Sequence, residues 1–322
     1  MTVMDTREIL ESIIMAVVGW LPFVAMTFVI VGLAKLVFDW RTPFDDTEQL
    51  DLNNHAASWT RGGAYLGIML ATLGSLLTHD VDYWARLGLF LLDGVWAILV
   101  FTVASIIFDL VILRRANNCD EIVRGNLAVG VIECFAYTGL GTVMFAAFAG
   151  QDRQVPGEAF NMWSFLEGQL SGLVFSFLGL FTVVAAYWVY TRVMYLRSGR
   201  SFHIDRAIHG GDLAAAIDAG SFLLAISVTL WFSIYGPFNG WLNDVVSYFV
   251  AALAAVIAVA AGSLVARPLL LNDFGERKRH DRSARSDLLI RSTPVGNAAL
   301  AIKVACVRVG IGFLVGLLTF VG

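Results

Sequence analysis

The sequence predicts an all-α protein: a bundle of eight helices that cross a membrane. Apolar residues make up 58% of the 322 residues, charged residues only 15%, and the mean hydropathy is +0.73. Soluble domains carry roughly one quarter charged residues. Several uninterrupted apolar stretches also exceed the roughly 20 residues that a helix needs to cross a bilayer. A chain this apolar excludes a role in binding nucleic acid.

Eight membrane spans can be drawn along the chain. The odd-numbered spans are long and the even-numbered spans are compact, so consecutive spans form helical hairpins. The predicted spans cover residues 12–38, 54–78, 83–113, 126–149, 162–197, 211–235, 241–270 and 295–320.

A short motif, Asn-x-Ala or Asp-x-Ala, begins each even-numbered span and indicates an internal repeat. Its four copies begin at Asn54, Asn126, Asp212 and Asn297. The chain therefore divides into a first half, residues 12–150, and a second half, residues 160–322, offset by 158 residues. Because each half holds an even number of spans, the two repeats are predicted to be parallel and pseudo-symmetric.

The distribution of basic residues predicts the orientation in the membrane. The loops after the odd-numbered spans, counted with the helix ends, hold sixteen of the 22 Lys and Arg residues, and the opposite side holds three. This asymmetry is typical of cytoplasmic loops. Both termini are therefore expected outside the cytoplasm, and anionic lipid headgroups are expected to contact the basic loops.

Each even-numbered span carries an ionisable residue close behind its motif. Arg61 and Glu133 lie seven residues beyond the motif residue, and Asp218 and Lys303 lie six beyond it. Charges in hydrocarbon are costly and need partners. We therefore predict two acid–base pairs, Arg61 with Glu133 and Asp218 with Lys303. Such pairs can also serve only to fix helix packing.

Three further charges lie inside the predicted spans, namely Asp93, Glu167 and Arg308. Acids and bases at several depths are what a polar pathway through the membrane needs. A conduit for ions or small solutes, or the membrane subunit of one, is the leading interpretation. A structural role for the same charges stays open.

The cytoplasmic loops offer a second interpretation. The first is acidic and the last, residues 276–291, is strongly basic. A membrane scaffold could recruit a cytoplasmic protein partner through these loops, although a basic loop against anionic lipid is the default. The acids of the first loop are Asp39, Asp45, Asp46, Glu48 and Asp51.

No motif for a catalytic, cofactor or metal site is present. The sequence has no phosphate-binding glycine loop, no nucleophile elbow and no His pair at ligand spacing within a span. An enzyme that modifies lipids, with Glu133 or Asp218 as general base, is the weakest interpretation because it lacks a nucleophile. Small-residue faces such as Gly63 and Gly67 favour tight helix packing and leave a homo-oligomer open.

The best copy of the motif, with its preceding acids, is Asp120-Glu-Ile-Val-Arg-Gly-Asn-Leu-Ala128. It resembles the YjfL-like bacterial family, in which a four-span domain of unknown function is duplicated in tandem. The resemblance covers the chain from about residue 12 to its end. It departs at Asp212, which replaces Asn, and at Asn297, which lacks the immediately preceding acid. The resemblance implies residence in the inner membrane and gene neighbours of envelope-stress and polyamine-ligase types, without a known activity.

Overall fold

The computed structural model describes residues 6–42, 44–77, 82–111, 118–149, 162–197, 203–235, 240–275 and 298–321. Within these ranges the side chains of residues 6–17, 164, 195–197, 263–275 and 318–321 are not described. All regular structure in the described ranges is helical. The helices are α1 (Thr6–Arg41), α2 (Asp46–Asp51), α3 (His55–Leu73, continued by a 3₁₀ turn, Gly74–Leu77), α4 (Tyr83–Val111), α5 (Asn118–Val123), α6 (Leu127–Ala149), α7 (Met162–Arg197), α8 (Ile204–His209), α9 (Leu213–Ile234), α10 (Trp241–Gly275) and α11 (Ala298–Val321).

Seven helices in the described ranges are long and apolar enough to cross a membrane, and these are α1, α4, α6, α7, α9, α10 and α11. The sequence predicts eight spans, and the predicted span that is missing from these seven is α3. That helix has 19 residues and carries Arg61 together with several hydroxyl side chains near its start. These polar residues lower the mean hydropathy of α3, although the helix packs lengthwise against the apolar α6.

The four helices that follow a motif form the centre of the bundle. Helix α3 packs on α6, α6 on α9, and α9 on α11, and these are the most extensive contacts between helices. Glycines bring the backbones together: a Cβ atom on Gly63 would collide with the backbone of Cys134, and one on Gly141 with the backbone of Gly67. Small residues permit such close approach where hydrophobicity cannot drive helices together.

Three short helices, α2, α5 and α8, each have six residues and directly precede α3, α6 and α9. All three lie between the predicted spans, in segments that the sequence predicts as loops. We call the end of the bundle where they lie the motif end and the opposite end the far end. Each short helix closes with a residue of positive φ: Asn53 (56°), Gly125 (81°) and Gly211 (82°). Glycine and asparagine tolerate this left-handed conformation, which explains why glycine precedes the motif residue twice.

Candidate functional site

The first motif residue, Asn54, joins two hairpins. Its side-chain Oδ1 accepts hydrogen bonds from the backbone N–H groups of Ala56 (3.0 Å) and Ala57 (3.2 Å), which caps α3. Its Nδ2 donates to the backbone oxygen of Ile122 in α5 (2.8 Å) and to Oε1 of Gln49 (2.7 Å). The amide therefore satisfies the start of one helix and the end of a short helix in the next hairpin.

The second motif residue, Asn126, repeats this arrangement one hairpin further along. Its Oδ1 accepts from the N–H of Ala128 (3.2 Å), and its Nδ2 donates to the backbone oxygens of Ile208 (3.2 Å) and His209 (3.0 Å) in α8. It also donates to Oε2 of Glu121 (3.0 Å). Asparagine suits both positions because its amide oxygen accepts from the helix start while its NH2 group donates two hydrogens to the neighbouring hairpin.

The third motif residue, Asp212, keeps the helix cap but lacks the amide donor of the two asparagines. The Asp212 side chain caps α9 by accepting from the N–H of Ala215 (3.1 Å). A carboxylate has no N–H to donate, and the residue five positions before it is Ala207, where the first two copies have Gln49 and Glu121 as acceptors. The fourth motif residue, Asn297, lies outside the described residues.

Arg61 lies in a buried polar cluster at the motif end. Its Nε donates to Oδ1 of Asp46 (2.6 Å), and its Nη2 donates to Oγ1 of Thr42 (2.7 Å). The hydroxyl of Tyr65 donates to the other Asp46 oxygen (2.7 Å), and the guanidinium carbon lies 5.0 Å from the ring centre of Phe44. Both oxygens of Asp46 are therefore satisfied, and the arginine is paired.

Asp218 and Arg308 form the most deeply buried ion pair among the described residues. Their side chains are 0% and 1% exposed, and Nη2 of Arg308 lies 2.9 Å from Oδ1 of Asp218. The other terminal nitrogen of Arg308 donates to the backbone oxygen of Asp218 and to Oγ of Ser221 (2.8 Å). The hydroxyl of Tyr190 donates to the second Asp218 oxygen.

Both predicted pairings differ from these ion pairs. Arg61 pairs with Asp46 because α2, a helix within the predicted first loop, brings that acid next to α3. Asp218 pairs with Arg308, whereas Lys303 is exposed on another face of α11. The buried stripe of α11 contains Ala301, Val304, Ala305 and Arg308, at the spacing of one helix face.

Glu133 lies in a different environment. It is 5% exposed, and Nδ2 of Asn118 donates to its Oε1 (3.1 Å). Thr60 of α3 faces the same carboxyl. The Thr60 hydroxyl and Oδ1 of Asn118 are buried without a hydrogen-bond partner. No ion pair within 4.0 Å is formed by Glu133 among the described residues.

A line of polar groups connects Glu133 to the motif end. Asn118 lies against Asp109 of α4 as well as Glu133. Asp109 in turn forms an ion pair with Arg41 (2.9 Å), and these two side chains are 30% and 20% exposed. The chain Arg41–Asp109–Asn118–Glu133 therefore runs from a partly exposed surface to a buried carboxyl. The polar residues Asp46 and Asn118 each lie eight positions before a motif residue. Aligning the repeat copies upstream of the motif could have found both.

The remaining predicted charges lie toward the far end. Asp93 in α4 is 1% exposed, with Gln169 of α7 and Ser75 of the 3₁₀ turn within hydrogen-bonding reach. Glu167 lines an open cavity of about 330 Å³ between the first turns of α7 and α10. Its other lining residues are Trp163, Leu166, Leu170 and Trp241. Asp93 and Glu167 therefore lie in separate environments.

Three of the five acids of the first loop form ion pairs or hydrogen bonds within the fold. Asp39 pairs with Lys35 (2.6 Å), and Asp46 with Arg61. Asp45 caps α2 by accepting from the backbone N–H of Thr47 (2.7 Å), and this bond lowers the pKa of the Asp45 carboxyl. The last loop lies outside the described residues. Few acids of the first loop therefore remain to meet a partner.

Cys119 in α5 lies beside the polar line at the motif end. Burial raises the pKa of its thiol to about 11, and the nearby Asp109 and Glu133 add to the rise. A thiol in such a place is unreactive and serves packing. In the described ranges no cluster of three or more His, Cys, Asp or Glu residues could hold a metal ion.

Long apolar helices packed through glycine, with charged groups buried between them, define a polytopic helical membrane protein. The sequence profile of the family DUF350, a domain of unknown function, matches the chain twice, at residues 9–148 and 164–318. The chain therefore belongs to the DUF350 family, and the double match agrees with an internal repeat. It is also 24% identical, over 284 residues, to a UPF0719 transmembrane protein of Aquifex aeolicus. That match covers 84% of this chain and 94% of the relative. No solved structure matches the chain.

Proposed function

We propose that the protein conducts protons, and thereby acts as an ion conduit, through a bundle of eight membrane spans. The observation that carries the proposal is Glu133, a buried carboxyl that lies at the inner end of a polar line and has no ion-pair partner among the described residues. A carboxylate in hydrocarbon must bind either a proton or a cation. Glu133 is therefore suited to take up and release protons.

The surroundings of Glu133 support exchange with one side of the membrane. Asn118 can accept as well as donate, and Asp109 with Arg41 lies at the partly exposed end of the line. Because an amide does not pass a proton on, water molecules along this line would carry protons between Asp109 and Glu133. We propose that this line is the entry route from the motif end.

The two ion pairs are poorly suited to the same role. The carboxyl groups of Asp46 and Asp218 each bind an arginine and a tyrosine hydroxyl. Moving a proton onto either carboxyl would leave a buried arginine without its counter-ion, which is costly. We therefore assign these pairs a structural role in holding the helices.

The membrane setting is part of the proposal. We propose that α3 is the eighth span, since it packs lengthwise against α6, and that the two repeats are pseudo-symmetric. The excess of basic residues on one side supports a cytoplasmic motif end and termini in the periplasm. The YjfL-like resemblance supports residence in a bacterial inner membrane.

Flux into proteoliposomes tests the proposal. Vesicles that contain the purified protein and an internal pH-sensitive dye would be given a K⁺ diffusion potential, and proton entry would be recorded. We expect flux with the wild type and a loss of at least about tenfold with Glu133→Gln, because an amide carries no exchangeable acid proton. Glu48→Gln, the same chemical change at an exposed position of α2, is the matched control.

Wild-type vesicles without flux, or full flux with Glu133→Gln, would overturn the conduit. Capture of a soluble protein that depends on residues 276–291 would then favour the alternative, a membrane scaffold with a cytoplasmic partner. No observation in the described residues favours that alternative, because most acids of the first loop are engaged within the fold.

A further inference from the structure

Asp93 is a second buried carboxyl, at the opposite end of the bundle from the Asn118–Glu133 contact. It lies on α4, where the next residue, Gly94, is so close to Ile30 of α1 that a Cβ would collide with it. Ser75 comes from the 3₁₀ turn after α3, and Gln169 comes from α7. The carboxyl therefore lies where elements of both halves of the chain meet.

One hydrogen-bond donor is missing around the Asp93 carboxyl. The Ser75 hydroxyl donates its proton to the backbone oxygen of Thr72 (2.7 Å), so it offers only a lone pair to the carboxyl. Oδ1 of Asp93 is buried without a hydrogen-bond partner. Two acceptors that face each other in a buried place are unfavourable unless a proton or a cation lies between them.

A proton fits this place better than a metal ion does. The groups that act on the Asp93 carboxyl are Gln169 and Ser75, and no charged group is among them. On the two long helices that supply Asp93 and Gln169, the charged residues closest in sequence are Arg86, seven residues before Asp93, and Glu167, which lines the far-end cavity. Hard cations take about six or more oxygen ligands, and the three side chains present supply at most four oxygens.

We propose that Asp93 is a proton-binding site that joins the two halves at the far end. Its carboxyl holds a proton and donates it to Oγ of Ser75, while Gln169 contacts the carboxyl from the second half. The inference rests on the proposed function only in placing Asp93 and Glu133 on one proton route. Proton binding at Asp93 stands without that route.

Labelling by an apolar carbodiimide tests the site, because this reagent enters membranes and reacts with protonated carboxyls. The purified protein in liposomes would be treated near neutral pH, digested and mapped by mass spectrometry. We expect labelling at Asp93 to exceed labelling at Asp46 and Asp218 by at least about tenfold, since both of these are ion-paired carboxylates. Asp93→Asn should remove only the Asp93 signal.

Infrared spectroscopy provides a second measurement that does not depend on access of the reagent. The wild type should show the carbonyl band of a protonated carboxyl that Asp93→Asn removes and that Ser75→Ala shifts. Absence of that band overturns the inference. Labelled Asp93 in vesicles that conduct no protons would overturn the proposed function alone, and flux that needs Glu133 with no Asp93 band would overturn this inference alone.

Discussion

The Asp218–Arg308 pair and the Glu133 site are both buried, yet the two regions satisfy their charges in opposite ways. Every carboxyl oxygen of Asp218 binds an arginine or a tyrosine. Glu133 has an amide donor and, nearby, two buried oxygens that lack partners. In the first region, which we call the closed region, neighbouring side chains bind both oxygens of the Asp218 carboxylate. In the second, which we call the unpaired region, the Glu133 carboxyl can still bind a proton.

This difference separates structural from functional charge. A fully paired cluster resists any change of protonation, since each partner would lose its counter-charge. An unpaired carboxyl gains or loses a proton without breaking an ion pair. Burial of a charged residue type therefore does not by itself indicate a pathway, and the set of partners decides.

The largest expected effect comes from removing one partner of the Asp218–Arg308 ion pair. Arg308→Met should lower the free energy of unfolding by about 3–5 kcal/mol, because it leaves Asp218 buried without its counter-ion. Thermal unfolding in detergent micelles measures this. Arg206→Met, the same change at an exposed position of α8, should change stability by less than about 0.5 kcal/mol. Equal effects of the two substitutions would contradict the pairing.

A smaller effect should follow at the second buried ion pair, Arg61 with Asp46. Tyr65→Phe removes one hydrogen bond to the Asp46 carboxylate and should cost about 1.5–3 kcal/mol, the range for hydrogen bonds to charged groups. Tyr83→Phe is the matched control, because the Tyr83 hydroxyl donates to a backbone oxygen at an exposed position. A loss no greater than that of the control would mean that Asp46 is adequately satisfied by Arg61 alone.

The unpaired region should respond weakly in stability. Glu133→Gln should change the free energy of unfolding by less than about 1 kcal/mol, since no ion pair is lost and the shape is kept. Asp218→Asn, the same chemical change in the closed region, should cost several times more because Arg308 loses its counter-ion. A large loss in Glu133→Gln would show that this carboxyl is a structural anion after all.

The smallest effect concerns the thiol beside the polar line. With a pKa of about 11, about one thousandth of Cys119 is thiolate at pH 8, so alkylation there should be slow. The rate should rise about tenfold per pH unit until the pH reaches the pKa of Cys119. Alkylation followed by mass spectrometry gives the profile, and the denatured protein supplies the reference rate. A plateau near pH 9 would contradict burial of this thiol.

The long helices were predictable because an apolar stretch in lipid must satisfy its backbone within a helix. The predicted fifth span, 162–197, coincides with Met162–Arg197. The short helices were missed because six polar residues give no apolar periodicity. Their turns were nevertheless encoded in Gly125 and Gly211, which take positive φ before the motif residue.

The ion pairs were harder to predict than the helices. Equal distances from a motif do not fix which face of a helix a residue occupies, and Lys303 lies one position before the buried Val304. Arg308 was identified as an intramembrane charge, yet its partner depended on how α9 and α11 pack. The partner of Arg61 lies on α2, a helix of six residues that no apolar periodicity predicts.

Proton flux through two variants tests the central claim most directly. The first is Glu133→Gln, and the second replaces the closed ion pair by the double substitution Asp218→Asn with Arg308→Met, which should largely restore stability lost in Arg308→Met. We predict that flux is lost in the first and kept within about twofold of the wild type in the second, provided that both variants are folded. The opposite pattern, with flux kept in Glu133→Gln and lost in the double variant, would contradict the account.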